Sequence, residues 1–239
     1  MARRSVVSIF TGLMCVLALP AVAQRAPVDL ELAFVVDASG SIDEEETRLQ
    51  RQGYADALAN PRVLNAITSG FLRSIAVAYI EFAGDGCTRL SMKWARVGDP
   101  GSAKAFGDRI LGLPPLLCPG GNAISEAITF ATASIETNGF EGTRRVIDVS
   151  GDGPNTLGMP VEFARDQAVL KRITINGLVI ERPGFPDLDE YFRQAITGGP
   201  RSFVIKAKNR RTFAEAILKK MILEIAGTPP PVRQARLPR

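Results

Sequence analysis

The sequence predicts an α/β, doubly wound domain: a mostly parallel sheet, one antiparallel edge strand, and helices on both faces. Three observations carry this. Strand-type apolar runs alternate with helix-type amphipathic segments along the chain. One pair of strands, 73–82 and 88–95, is joined by the turn signal Gly84-Asp85-Gly86, so a single hairpin supplies the antiparallel edge. The length remaining after an N-terminal leader fits one domain of this class, which runs to ~250 residues.

The leader comes first. Arg3 and Arg4 form a positive start, residues 6–19 are mostly apolar, and Ala21-Val22-Ala23 fits a small-x-small cleavage site. Residues 1–23 therefore read as a secretory signal peptide cut after Ala23. Gly12-Leu13-Met14 lacks the small residue that a lipid anchor at Cys15 needs. No later apolar run reaches the ~18 residues of a spanning helix. The expected location is the periplasm of a Gram-negative bacterium, or secretion beyond it.

Residues 28–36 alternate and then become continuously apolar, as a central strand does. A helix follows over 44–59, with Asp43 as N-cap and Pro61 beyond its end. After the hairpin comes a helix at 103–113. Pro114-Pro115 and Pro119-Gly120-Gly121 bracket a stiff loop. A helix at 123–137 leads to a strand at 144–149 that ends in Ser150-Gly151-Asp152-Gly153. Next are a helix at 160–171, a strand at 173–180, a helix at 188–197, a short strand at 202–206 and an amphipathic helix at 211–226. The domain is thus 24–227. Residues 228–239 are rich in Pro and Arg without periodicity and read as a disordered tail.

Composition excludes several functions. The formal charge is +4 over the whole chain, and about +2 once Arg3 and Arg4 leave. That balance, with sparse aromatics, gives no nucleic-acid interface. There is no histidine. Ser-His-Asp and Cys-His catalysis and His-ligated zinc are therefore absent. Cys15 leaves with the leader. Cys87 and Cys118 remain, and in an oxidising compartment they read as one disulfide. The alternative is two unrelated small core residues.

The chemistry concentrates at two strand tips. The first strand ends in Asp37-Ala38-Ser39-Gly40-Ser41 and the fourth in Gly151-Asp152-Gly153. In a doubly wound sheet these tips meet at the topological switch point. The loop before residue 123 brings Gly120-Gly121-Asn122 to the same edge. One carboxylate and two hydroxyls, joined by a second carboxylate, are hard oxygen donors, suited to a divalent cation other than zinc or copper. Asp-x-Ser-x-Ser after a strand, with a distant Asp, resembles the metal-ion-dependent adhesion site of von Willebrand factor A (vWA) domains. The resemblance spans residues 28–226. More narrowly, Arg145-Val146-Ile147-Asp148-Val149-Ser150-Gly151-Asp152-Gly153 and Ile173-Thr174-Ile175-Asn176-Gly177-Leu178 look like an uncharacterised group of exported bacterial vWA-like proteins.

The resemblance implies a metal set of Asp37, Ser39, Ser41, Asn122 and Asp152, holding Mg²⁺ first, with Mn²⁺ or Ca²⁺ as alternatives. It also implies a protein partner whose carboxylate completes the metal shell. Asn122 departs from the family pattern, which has threonine there. An amide oxygen on a longer arm suits calcium better than the strict octahedron of magnesium.

Other readings of these residues stand beside it. Asp37 and its serines could only cap the next helix. Asp148, mid-strand, reads as a structural polar contact. Asp43 to Glu46 read as a solvated helix start, and Trp94 as packing. An exported metal-dependent hydrolase, phosphatase-like, is the alternative function, since a strand-tip Asp can accept a phosphoryl group. Against it, Ser39 stands where such enzymes carry a second Asp, and no P-loop or Gly-x-Ser-x-Gly elbow occurs. The expectation is a binding module rather than an enzyme. A two-lobed small-molecule carrier needs more chain than this.

Overall fold

β1 (Ala26–Asp37) reads as continuously apolar because both of its faces are covered. Leu30, Leu32, Phe34 and Val36 enter one core and Ala33 and Val35 the other, as the two-residue strand period requires. The structure is a computed structural model, and it describes residues 24–40, 42–118, 120–208 and 210–227. Residues 1–23, read above as a signal peptide, Ser41, and residues 228–239, read as a tail, lie outside the described residues.

Five further strands complete the sheet: β2 (Ile75–Phe82), β3 (Thr88–Val97), β4 (Phe140–Gly151), β5 (Thr174–Ile180) and β6 (Val204–Ala207). Their order is β3-β2-β1-β4-β5-β6. Every neighbouring pair is parallel except β2–β3, so β3 is the antiparallel edge strand. β1 lies between β2 and β4, and the chain reverses direction across the sheet at β1/β4. That is the switch point where doubly wound sheets place ligands, at the carboxyl ends of the strands.

Helices α1 (Glu44–Ala59), α2 (Pro61–Thr68), α3 (Pro100–Leu111) and α7 (Arg210–Ala226) cover the first core. The second lies under α4 (Ile124–Thr137), α5 (Val161–Leu170) and the short α6 (Leu188–Tyr191). α1 opens with a reciprocal cap. Glu46 N donates to Asp43 Oδ1 at 2.7 Å, and Asp43 N donates to Glu46 Oε2 at 2.9 Å. The acids 43–46 are thus a dipole-favoured start, and the loop leaving Asp37 is held at its far end.

The structure departs from the sequence reading in several places: α3 starts at Pro100 rather than 103, and β6 at Val204 rather than 202. Pro61 does not merely follow a helix end. It opens α2, with Asn60 Oδ1 accepting from Arg62 N at 2.9 Å. Pro at the first turn is tolerated because its missing N–H has no helical partner anyway. β4 begins at Phe140 rather than 144, since Ala26 to Val28 pair with Phe140 to Gly142 although that half of the strand is polar. The helix read over 188–197 is α6 followed by a single π turn, Phe192–Ile196.

A buried polar knot fixes the loop leading to Asn122. Arg51 on α1 pairs with Glu81 on β2 at 2.6 Å, and Arg89 on β3 meets the other Glu81 oxygen at 2.9 Å. Arg51 also donates to the carbonyls of Leu113 and Pro114. One guanidinium thereby links α1, β2 and the start of the 113–123 loop.

Candidate metal centre

Four of the sequence-predicted site residues come together at the β1/β4 edge. Asp37, the last residue of β1, is 1 % exposed; Ser39 and Asp152 are 2 % exposed and Asn122 is 8 %. Ser41 lies outside the described residues. Ser39, Asn122, Asp152, Thr156, Arg182 and Phe185 line an open pocket of about 190 Å³.

Local backbone chemistry explains the convergence. Ala38 N donates to Phe82 O at 2.8 Å, so the first loop leaves along the tip of β2. Ser39 N folds back onto Asp37 Oδ1 at 2.8 Å, and the chain turns through Ile42 N to Ser39 O. On the second loop, Asn122 N donates to Thr156 Oγ1 at 2.9 Å, and Asn122 O accepts from Thr156 N. Ala123 N reaches Ala83 O at 2.9 Å. Gly121 sits at φ +110°, where a side chain is strained. The two glycines around Asp152 make room for their neighbours. A Cβ on Gly151 would lie 3.2 Å from Asp37 Oδ2, and one on Gly153 would lie 2.5 Å from Asn122 Nδ2.

The electrostatics favour a cation. Burial, and then the Asp152 carboxylate, push Asp37 up to about 6. The backbone N–H and hydroxyl of Ser39 and the N–H of Asp152 oppose the shift but do not cancel it. Asp37 Oδ2 and Asn122 Oδ1 are buried and accept no hydrogen bond among the described residues. Unsatisfied buried acceptors are costly unless something positive or protic meets them. The donors that converge are carboxylate, hydroxyl and amide oxygens, the hard set that Mg²⁺, Mn²⁺ and Ca²⁺ prefer. The residues present therefore fit a divalent cation. Asp37 does more than cap: the N-cap of α1 is Asp43.

Sequence reasoning missed Arg182 and Thr156. Arg182 Nε lies 2.8 Å from Asp152 Oδ2, so a guanidinium sits on one of the two site carboxylates. It arrives on the loop after β5, held by a bridge to Phe185. Nothing in the sequence marked that loop, because Arg-Pro-Gly-Phe carries no motif and reaches the site only through the sheet order. Thr156 places a hydroxyl beside Asn122, in the loop between β4 and α5.

Other residues fall where the sequence put them. Cys87 and Cys118 are joined as a disulfide with Cα atoms 6.3 Å apart. It ties the β2–β3 turn to the loop before Asn122, and Gly86 N adds a bond to Glu126 Oε2 on α4 at 2.9 Å. Trp94 packs against the second core and donates to Ser134 Oγ at 2.8 Å. Asp148 is a structural contact, paired with Lys220 of α7.

The sheet order, the single antiparallel edge and the two-carboxylate switch point define a vWA-type fold. The chain belongs to the family described as "Protein of unknown function (DUF1194)", whose model matches residues 27–229. Among solved structures it resembles proximal thread matrix protein 1 from the mussel byssus, with a TM-score of 0.59 and 14 % identity over 85 % of this chain and 48 % of that one. A further structure of the mussel protein has a zinc-occupied MIDAS motif, MIDAS being the metal-ion-dependent adhesion site. A von Willebrand factor type A protein from Catenulispora acidiphila gives a TM-score of 0.56 at 18 % identity, over 83 % of this chain and 43 % of that one. The vWF domain of the type V pili tip protein Mfa5 from Porphyromonas gingivalis gives 0.58 at 10 % identity, over 89 % and 99 %. The chain thus spans about half the length of the mussel and Catenulispora proteins. A comparison with curated proteins yields no match. Among the described residues, no helix is long and apolar enough to cross a membrane.

Proposed function

We propose that this chain is an exported binding module that uses a metal-ion-dependent adhesion site to engage a carboxylate on a protein or other acidic surface ligand. One observation carries the reading: Asp37 Oδ2 and Asn122 Oδ1 are buried, unsatisfied and brought to one edge with Asp152. Asp37, Ser39, Asn122 and Asp152, with Ser41 from the same motif, are the residues that would hold the cation, Mg²⁺ or alternatively Mn²⁺ or Ca²⁺. The bound ion would supply a positive centre with an open side, where a partner carboxylate completes its shell. The chain's own residues exclude bulk water from beneath the site and hold the oxygens in place through Ser39 N, Thr156 and the glycines at 151 and 153.

The zinc-occupied motif of the mussel protein and the pilus-tip role of Mfa5 support a divalent cation and a surface-binding role. Binding rather than turnover is favoured because Ser39 stands where a strand-tip phosphatase carries a second Asp, and the sequence has no P-loop and no Gly-x-Ser-x-Gly elbow. The leader-like sequence of residues 1–23 is the support for export to the periplasm.

Isothermal titration of the mature protein with Mg²⁺, Mn²⁺ and Ca²⁺ tests the site. One saturable ion is expected, lost in Asp37→Ala. Absence of binding by all three at millimolar concentration refutes the metal site. Pull-down from envelope extracts with and without EDTA then tests the adhesive role, and capture indifferent to EDTA refutes a metal-bridged carboxylate.

A further inference from the structure

At the opposite edge of the sheet, the amino ends of β4 and β5 open into a second and larger cavity of about 500 Å³. Four arginines line it: Arg144 and Arg145 on β4, Arg172 just before β5, and Arg201 just before β6. Val146, Val169, Phe203 and Leu223 give it apolar walls. None of the four arginines forms an ion pair with a carboxylate among the described residues. Arg144 donates to the carbonyls of Glu224 and Ile225 at 2.7 and 2.6 Å, Arg145 to Lys171 O at 2.6 Å, and Arg201 to Gly227 O at 3.1 Å. Carbonyls orient a guanidinium but leave its charge whole, and each guanidinium has five donors. The acid in the lining, Glu224, is engaged by Lys220 at 2.6 Å and Asn176 at 3.0 Å.

Among the described residues, three non-glycine residues have positive φ, and all are arginines. Two of them, Arg172 and Arg201, both at φ 61°, line this cavity; Arg73 lies elsewhere. Glycine or asparagine fits that conformation with less strain. An arginine there therefore points to a use for the side chain rather than the turn. Four like charges around an apolar hollow repel one another; burial draws the Arg144 guanidinium down from its ordinary value, the Asp29 and Glu224 charges hold it up, and Arg201 adds a smaller downward pull. An anion removes that repulsion.

We propose that this cavity binds a small amphiphilic anion: an oxyanion headgroup held by the arginine forks, on an apolar body seated against Val146, Val169, Phe203 and Leu223. Arginine matches carboxylate and phosphate oxygens in bidentate fashion, and the walls favour an alkyl portion over a bare ion. This site is independent of the metal centre, which lies at the carboxyl ends of the same strands.

Calorimetry and amide NMR with hexyl phosphate, against inorganic phosphate and 1-hexanol, test it. Saturable binding of hexyl phosphate is expected, tighter than either control, with shifts at residues 143–146 and 172–176. Arg172→Gln/Arg201→Gln should weaken it by at least about tenfold. Arg172→Gln alone breaks no side-chain hydrogen bond among the described residues, so its smaller loss guards against a folding artefact. EDTA and Asp37→Ala should change nothing, which separates failure here from failure of the metal site. The proposal is overturned by no saturable binding, by equal binding of 1-hexanol or inorganic phosphate, by unchanged affinity in the double variant, or by shifts confined to the metal edge.

Discussion

At the residue scale, the candidate site is a balance between two carboxylates and whatever positive charge faces them. Arg182 already meets Asp152 at 2.8 Å, and its side chain is 34 % exposed, so solvent screens the pair. A divalent ion that takes Asp152 has to displace or share that guanidinium. Arg182→Gln is therefore expected to tighten Mg²⁺ or Mn²⁺ binding by about tenfold, since it removes a charge-assisted competitor. Unchanged or weaker affinity in calorimetry would show that the arginine leaves without cost or supports the ion. Asn122 answers a second question. Its Oδ1 is buried and unsatisfied, and its Nδ2 sits against Gly153. Asn122→Thr shortens the arm and restores a hydroxyl, and should favour Mg²⁺ over Ca²⁺. If ion preference does not move, Asn122 stands outside the coordination shell. Asp37, Ser39 and Asp152 were legible in the sequence because an apolar strand ending in a polar tip announces both burial and edge. Arg182 was not, because a lone arginine in a loop acquires meaning only from the sheet order that carries β5 beside β4.

At the element scale, the loop carrying Asn122 has few tethers of its own. Residues 113–118 form no helix or strand, and the loop is secured by Arg51 at one end and the Cys87–Cys118 bond near the other. The bond closes a sequence separation of 31 residues. Closing such a loop contributes about 2–4 kcal/mol, chiefly by restricting the unfolded chain. Reduction should lower the melting temperature by several degrees and loosen metal binding together, as read by calorimetry with and without reductant. A melting shift with unchanged metal affinity would confine the bond to stability. The elements themselves were mostly legible, because β1, β2 and β5 are buried on both faces and read as apolar runs. α2 was not. Eight residues with Val63 and Ile67 as their buried face fall below the length at which helical periodicity stands out. The first half of β4 was hidden too, since its partner is the start of β1 and its residues are polar.

At the scale of the whole molecule, α7 is locked to the sheet by a charged cluster that amphipathic periodicity did not reveal. Lys220 is fully buried, pairs with Asp148 of β4 and meets Glu224 one turn on at 2.6 Å; Asn176 of β5 donates to the same Glu224 oxygen. Two carboxylates face one ammonium, so the cluster is neutral only when it holds a proton. Burial, then the Asp148 charge, raise Glu224 to about 7, against the lowering pull of Lys220 and Asn176. Asp148 is raised as well by burial. The sign follows from proton counting. Between the ordinary glutamate value of 4.5 and about 7, the folded chain holds a proton that the unfolded chain has released. The stability this contributes is complete below 4.5, falls as pH rises through that window and is gone above about 7. One proton limits the slope to about 1.4 kcal/mol per pH unit. Asp37 is raised too and adds a slope of the same sign in metal-free protein. The difference between wild type and Glu224→Gln therefore isolates the cluster. Urea unfolding at pH 5, 6, 7 and 8 should show the variant losing less stability across the series, because a neutral amide keeps the Asp148–Lys220 pair balanced at every pH. Parallel profiles for the two proteins would mean that Glu224 is ionised throughout, and that the protein carries a net buried negative charge under α7.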